Sequence, residues 1–342
     1  MHRTVLTTLA LLLASGAGAR AAFWLRPPAT PEELTRTLVA ARQAGFTDVL
    51  LEGFYHGRTV WPSEVTAMKT TYDALKVTTD VAAREGLRVN VWFETLYWRP
   101  QDRFGIPVSP LWRDDWATRD DEGRTSLQRG GLGMVDPAEP GVGDVLERLV
   151  REVTRAYPDV GLHLDYLRYP REGQYGYHPT LVRTYEERTG QSIGALRQFG
   201  DDGLPTTNWQ VWRDLRRDAV TNLADRLIGA YRASGGRGMV SAAVFYLNDD
   251  LQDWRRWKGL DVAMPMAYVP ANVPWAFDLL MLNFRGDARV WPGVQVGPGF
   301  APLGEQVRRA NALGFRDVAV FDWRPGLPGL SGQPREDEGA RP

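Results

Sequence analysis

The chain has no cysteine. That excludes disulfides, a thiol nucleophile, thiolate-ligated metal and a lipid-modified cysteine at a processed N-terminus. Excess charge is also missing: 41 basic against 42 acidic residues leave a formal net charge of −1. Nothing electrostatic recommends nucleic acid or an anionic membrane as a partner. Histidine is scarce, and His56, His163 and His178 show neither HxH nor HExxH spacing. A zinc site built with Asp165 therefore has no motif behind it, and no metal is expected. Neither GxGxxG after a strand nor GxxxxGK[ST] occurs, so no nucleotide cofactor is expected. Long hydrophobic runs are absent as well. The apolar stretch Val5 to Ala14 is too short to span a bilayer. With His2 and Arg3 before it and Ala19-Arg20-Ala21 after, it predicts a secretory signal over residues 1–21 and a mature start near Ala22. The expected product is exported, periplasmic or extracellular, with no transmembrane segment after cleavage.

What is present is a repeated unit. "ARQAGFTDVLLEG" (Ala41 to Gly53) and "RANALGFRDVAVFDW" (Arg309 to Trp323) share one grammar: a helical stretch, a capping glycine, then a β-branched apolar run. The pattern recurs at Ala82 to Glu94 and Arg256 to Tyr268, and more weakly at Ala156 to Tyr166 and Ala233 to Phe245. Ala22 to Pro27 and Val290 to Gly299 complete a set of strand-like runs. Amphipathic stretches at Pro31 to Ala44, Tyr72 to Glu85, Val142 to Ala156 and Trp209 to Arg232 lie between them. Strands alternating with helices predict an α/β fold, a single-domain (β/α)8 TIM barrel over residues 22–325. The Gly-, Pro- and charge-rich residues 326–342 read as a disordered tail, with no eighth helix after the eighth strand. Long connections follow strands 3 and 4, on the C-terminal face where barrel enzymes place their sites.

"GLHLDYLRYP" (Gly161 to Pro170) puts an aspartate and an arginine at the end of a core strand. Burying a charge costs several kcal/mol unless it is paired or used. Glu52, Glu94, Asp165 and Asp322 all sit at strand ends, and Arg26 closes the first strand. Period-two alternation turns Asn90, Trp92 and Glu94 to one face, and His163 and Asp165 likewise, with Leu162, Leu164 and Tyr166 toward the helices. Several acids converging on one mouth suit glycoside cleavage, where one carboxyl protonates the leaving oxygen and another attacks or activates water. Asp165 is the expected catalytic residue, with Glu94 the preferred partner because its strand adjoins. Glu52 is the next choice, or a ligand for a sugar hydroxyl. Arg168 and a neighbouring tyrosine, Tyr166 or Tyr169, are expected to position Asp165 or substrate. Tyr55, Trp92 and Tyr268 join the expected substrate-binding set, with Arg26, His163 and Asp322. His163 equally suits a hydrogen-bonded place in the barrel interior. Asp249 and Asp250 suit a turn, and Asp253 suits either the site or the cap of a short helix at Trp254. Trp98, Trp112 and Trp116 either stack sugar rings or pin the third loop.

The ordered motifs "LLEGFYHGRTVWPS", "VNVWFETLYW", "GMVDPAEP", "GLHLDYLRYP", "VSAAVF" and "QDWRRWKGLDVAMPMAY" resemble the bacterial glycosyl-hydrolase-like family 10 proteins. They run through nearly the whole mature chain, from about Phe23 to Trp323. The resemblance implies an exported (β/α)8 barrel acting on glycans, with peptidoglycan glycan strands stripped of their peptides as one known substrate. It carries over Asp165 with Tyr166, Arg168, Tyr169 and Pro170, and Glu52 and Glu94 as acids after the second and third strands. Where the family often has arginine-glutamate-asparagine-valine, this chain has Asp218 and Ala219 in the middle positions. The expected partner is thus a polysaccharide, cleaved by a glycoside hydrolase. The alternative is a barrel that binds cell-envelope polysaccharide without turnover.

Overall fold

The structure is a computed structural model and describes residues 19–330 apart from 248, 288 and 328. Its strands are β1 (Ala21–Leu25), β2 (Asp48–Tyr55), β3 (Arg88–Glu94), β4 (Gly161–Asp165), β5 (Val240–Val244), β6 (Val262–Pro265), β7 (Gly293–Gln295) and β8 (Val318–Phe321). They follow one another in sequence order, and β8 pairs back onto β1 in parallel, with Ala21 beside Val318 and Phe23 beside Val320. Between β6 and β7 the ladder thins to the bridges Ala263–Val290 and Met266–Gly293. The result is one nearly closed (β/α)8 barrel.

The helices are α1 (Pro31–Gln43), α2 (Ala74–Glu85), α3 (Pro140–Ala156), α4 (Pro179–Thr189), α5 (Thr207–Ala233), α6 (Trp275–Met281) and α7 (Leu303–Ala312). Their starts are local chemistry: Thr30 and Asp73 accept the backbone N–H groups of Glu33 and Lys76. Helix α4 lies inside the long connection after β4, with its own small core of Leu181, Tyr185, Trp209 and Trp212. The crossover from β5 to β6 is only the 3-10 turn Trp254–Arg256. Asp253 makes no cap bond there.

Alternation along the strands sorts the side chains. Leu162 and Leu164 pack outward against the helices, while Trp24, Leu50, Trp92, Met264 and Trp291 fill the interior. His163 is wholly buried among them, between the Trp24 indole N–H at 3.0 Å and Ser241 Oγ at 2.9 Å. Burial pushes its pKa down to about 3, so it is a neutral packing residue beneath the mouth and not a substrate ligand. At the opposite end, Arg20 holds the fully buried Asp48 through Nε at 3.1 Å, and its backbone N–H donates to Asp317 at 2.6 Å.

Among the described residues no helix follows β8, and the chain there covers the gap directly. Trp323 packs against Phe23 and Phe46, with ring centroids 5.7 and 5.0 Å away. Leu327 and Leu330 join the same core, and the Leu330 N–H bonds Ala44 O at 3.0 Å. The segment expected as a tail from residue 326 therefore begins docked on the barrel. Residues 331–342 of that expectation, and 1–18 of the expected signal, lie outside the described residues. Trp323→Ala should cost about 3–5 kcal/mol, read as a lower midpoint in denaturant unfolding, because it empties the outer face of β1.

Candidate active site

Three carboxyl groups meet at the C-terminal mouth: Glu94 and Asp165 end their strands, whereas Glu52, expected at the end of β2, lies three residues before it because the strand runs on to Tyr55. Asp165 ends β4 and is the direct register partner of Glu94 on β3. Neighbouring strands hold such partners about 5 Å apart at their backbones. Glu52 comes from β2, level with Trp92. Arg26, just past β1, donates from Nε to Glu52 Oε1 at 3.1 Å. Its guanidinium lies 5.8 Å from the ring centres of both Trp92 and Phe321.

Two backbone irregularities place aromatic groups that simple alternation would turn away. The β2–β3 register slips between Glu52 and Phe54, a bulge at Gly53, where a Cβ would run into Val91. Beyond the bulge Phe54 packs outward with Phe93 and Trp98. Tyr55 instead joins Glu52 on the inner face, where both Glu52 and Glu94 act on its hydroxyl. At the end of β4, Tyr166 has φ 52. Period two predicted this ring toward the helices. The left-handed residue breaks the alternation and lays the ring 5.4 Å from Tyr97 in the mouth. Tyr268 completes the wall, stacked on Phe321 at 5.5 Å and near Asp165.

The carboxyls are electrostatically unequal. Burial pushes Glu94 well above the usual carboxylate range, and the negative charges of Glu52 and Asp165 push it further. The side-chain contact between the two glutamates adds to the rise on Glu94 and lowers Glu52. Glu52 is also raised by burial, but the Arg26 contact opposes the rise. Asp165 is raised by burial to about 6, and Arg168 and the Tyr166 N–H at 2.6 Å limit the shift. Trp92 turns its indole toward Asp165 and favours the ionised form, although its N–H falls outside strict hydrogen-bond geometry. The mouth thus holds Glu94, which retains its proton well above the usual carboxylate range, beside Asp165, which ionises at about 6. That is the division of labour glycoside cleavage needs.

The other expected site residues divide. Arg168 stays beside Asp165, its guanidinium between the rings of Tyr166 and Phe245 at 5.0 and 4.8 Å. Tyr169 does not belong to the site: its ring is fully buried under Arg216 and close to Asp136, behind the mouth. Its side chain leaves the mouth because the chain turns after Tyr166. Trp98 is also fully buried and donates to Thr95 O at 2.8 Å, so it pins the third loop and presents no face to a sugar. Asp253 faces Arg256 at 3.7 Å. Asp322 bonds Arg324 at 2.7 Å. Asp218 pairs with Arg256 at 2.8 Å on α5, so the family position it occupies serves an ion pair here.

Residues missed by sequence reasoning are His56 and Tyr97. Tyr97 lies on the short antiparallel pair Tyr97–Arg99 with Gly133–Met134, which ties together the ends of the long third loop. His56 occupies a two-residue turn between Tyr55 and Arg58, with φ 51 followed by Gly57 at φ 66. The His-Gly pair in that turn was the available signal, since such turns favour Asn-Gly. Among the described residues no cluster of three or more His, Asp or Glu side chains is arranged to hold a metal.

Residues 47–274 match the model of the family described as glycosyl hydrolase-like 10. The chain belongs to that family. Solved structures share its fold at low identity. The catalytic domain of β-amylase from Paenibacillus polymyxa is 11% identical with a TM-score of 0.57, covering 88% of this chain and 92% of that one. The β-galactosidase from Halorubrum lacusprofundi is 16% identical with a TM-score of 0.64, covering 91% of this chain. This family member spans about half of that enzyme, 53%. The spore cortex-lytic enzyme SleL of Bacillus megaterium is 9% identical at a TM-score of 0.51, covering 92% and 72%. No curated protein matches in sequence.

Proposed function

We propose that the protein is an exported glycoside hydrolase that cleaves a polysaccharide with Glu94 as general acid and Asp165 as nucleophile or base. The observation that carries this reading is the register pair Glu94–Asp165 at the barrel mouth, one carboxyl holding its proton and the other giving it up near pH 6. Membership of a glycosyl hydrolase-like family and a fold shared with a β-amylase and β-galactosidases support a carbohydrate substrate. The family resemblance puts peptidoglycan glycan strands first among substrates. A barrel that only bound glycans would gain nothing from burying three carboxyls together, which costs folding energy.

In the reaction, Glu94 gives its proton to the glycosidic oxygen as the bond to the anomeric carbon breaks. Asp165 either attacks that carbon or takes a proton from the attacking water. Arg26, tied to Glu52, offsets the negative charge left on Glu94. Tyr55, Tyr97, Tyr166 and Tyr268 supply ring faces and hydroxyls along the sugar path. Incubation with peptidoglycan glycan strands and a panel of other polysaccharides should release reducing ends from at least one. Binding without release across the panel would favour the non-catalytic barrel.

Export is part of the same proposal, and the fold supports a cut two residues earlier than the Ala19-Arg20-Ala21 pattern predicts. Arg20 is the partner of buried Asp48 and packs over Trp291 at 4.7 Å, while the Ala21 N–H donates to Thr47 at 2.9 Å. Ala17-Gly18-Ala19 is a second small-x-small pattern. Mass spectrometry of the exported protein should therefore find Arg20 first. A start at Ala22 would reject the earlier cut.

A further inference from the structure

The geometry points to His56 as a positioning residue for the general acid: its imidazole donates from Nε2 to Glu94 Oε2 and sets how readily Glu94 releases its proton. The inference rests on the glycosidase reading for its role in turnover. Its structural claim stands on Glu94 alone.

His56 sits in a turn that does not favour histidine. Tyr55 and Arg58 are antiparallel partners joined by His56 and Gly57, both at positive φ. This is the pattern of a type I′ hairpin, which takes asparagine or glycine at its first position with least strain. The turn is nevertheless firmly held. Gly57 O accepts the Thr66 hydroxyl at 2.9 Å and the Ser109 hydroxyl at 2.6 Å, and a Cβ on Gly57 would strike Ser109. A histidine kept in so fixed a left-handed position is there for its ring.

That ring is aimed at the acid. Its Nε2 stands 3.9 Å from Glu94 Oε2, wedged against Tyr97 at 4.9 Å and Tyr55 at 5.3 Å between ring centres. Among the described residues Glu94 Oε2 is buried without a hydrogen-bond partner, and so is His56 Nδ1. A buried carboxyl oxygen without a partner needs a donor, above all once Glu94 has lost its proton. Nε2–H is the group that faces it, which leaves Nδ1 as the unprotonated nitrogen. A movement of less than 1 Å closes the gap to hydrogen-bond length. The ring stays neutral: burial, with Lys69 and Arg26 nearby, pushes its pKa down to about 4. It therefore contributes a dipole and a donor, not a charge. The groups that also bear on Glu94 are Glu52 on β2, Asp165 on β4 and Arg26 after β1, and Lys69 and Arg26 bear on His56. As Glu94 loses its proton to the leaving oxygen, the Nε2–H bond to the new carboxylate strengthens.

The test uses two variants of the full-length protein. His56→Asn suits the turn but is too short to place a donor at the Nε2 position. His56→Gln places its amide nitrogen near Nε2 and cannot ionise in this range. Difference infrared spectroscopy follows the protonated-carboxyl band of Glu94 against pH, with Glu94→Gln as the control that lacks it. His56→Asn should move the loss of that band up by about one pH unit, the effect of one lost charge-assisted hydrogen bond. His56→Gln should return it toward the wild-type midpoint. On a cleaved glycan, His56→Asn should lower kcat by about tenfold and carry the alkaline limb to higher pH, with KM little changed. An unmoved Glu94 band in His56→Asn, or equal shifts in both variants, overturns the inference. If wild type cleaves no glycan yet the band shifts as described, the glycosidase reading has failed and the His56–Glu94 link has not.

Discussion

Asp165→Asn should leave a folded protein that still binds glycan but turns it over on the order of a thousandfold or more slowly. The substitution keeps shape, and the asparagine oxygen can still accept the Tyr166 N–H that now reaches Asp165 at 2.6 Å. What it removes is the charge that stabilises an oxocarbenium-like transition state or forms the bond to the anomeric carbon. Wild-type activity should rise with pH through about 6 as Asp165 ionises. That acid limb should vanish in whatever residual activity the variant keeps. Reducing-end release by wild type and variant on the same glycan measures both effects. Near-native turnover by Asp165→Asn would make Asp165 a structural partner of Arg168 and move the search to Glu52.

Glu94→Gln should nearly abolish cleavage of substrates with poor leaving groups and, unusually for a buried substitution, make the protein more stable at neutral pH. The two effects share one cause. Burial and the charges of Glu52 and Asp165 raise the pKa of Glu94 above its ordinary 4.5. The native state therefore holds a proton that the unfolded chain releases. Between the unfolded value and the raised folded value, native stability falls as pH rises. Glutamine has no proton to lose, so the gain in Tm over wild type should grow with pH above about 4.5 and disappear below it. Thermal unfolding of both proteins from pH 4 to 8 tests the sign. A gain independent of pH would mean that Glu94 is not titrating in the fold. The alkaline limb of activity should disappear with the acid, since it reports loss of the Glu94 proton.

Much of the architecture was legible along the chain because it is local. Gly86, at φ 70, caps α2 directly before β3, so a helix-glycine-strand repeat could be read from residue order. Period two then placed Glu94 and Asp165 inward and Leu162 and Leu164 outward, as found. Convergence of the strand-end acids followed once the strands were wound in order. The departures all involve a backbone that leaves the regular period or a partner distant in sequence. The bulge at Gly53 and the left-handed Tyr166 changed which face their neighbours present. Tyr169 and Trp98 were drawn from the site by Asp136, Arg216 and Thr95, none of which a motif marks.

The sequence by itself determined the barrel, its winding and the carboxyls that could do chemistry, since each depends on short-range periodicity and residue type. Only the tertiary structure decided which of those carboxyls keeps its proton. That choice is made by burial, by the charges of Glu52 and Asp165 around Glu94, and by Arg26 reaching Glu52 from β1 at 3.1 Å. Closure by the segment directly after β8 was likewise a tertiary matter, with Trp323 seated on Phe23 and Phe46 from nearly 300 residues away. Electrostatic free energy and packing depend on separation in space, and residue order does not encode that separation.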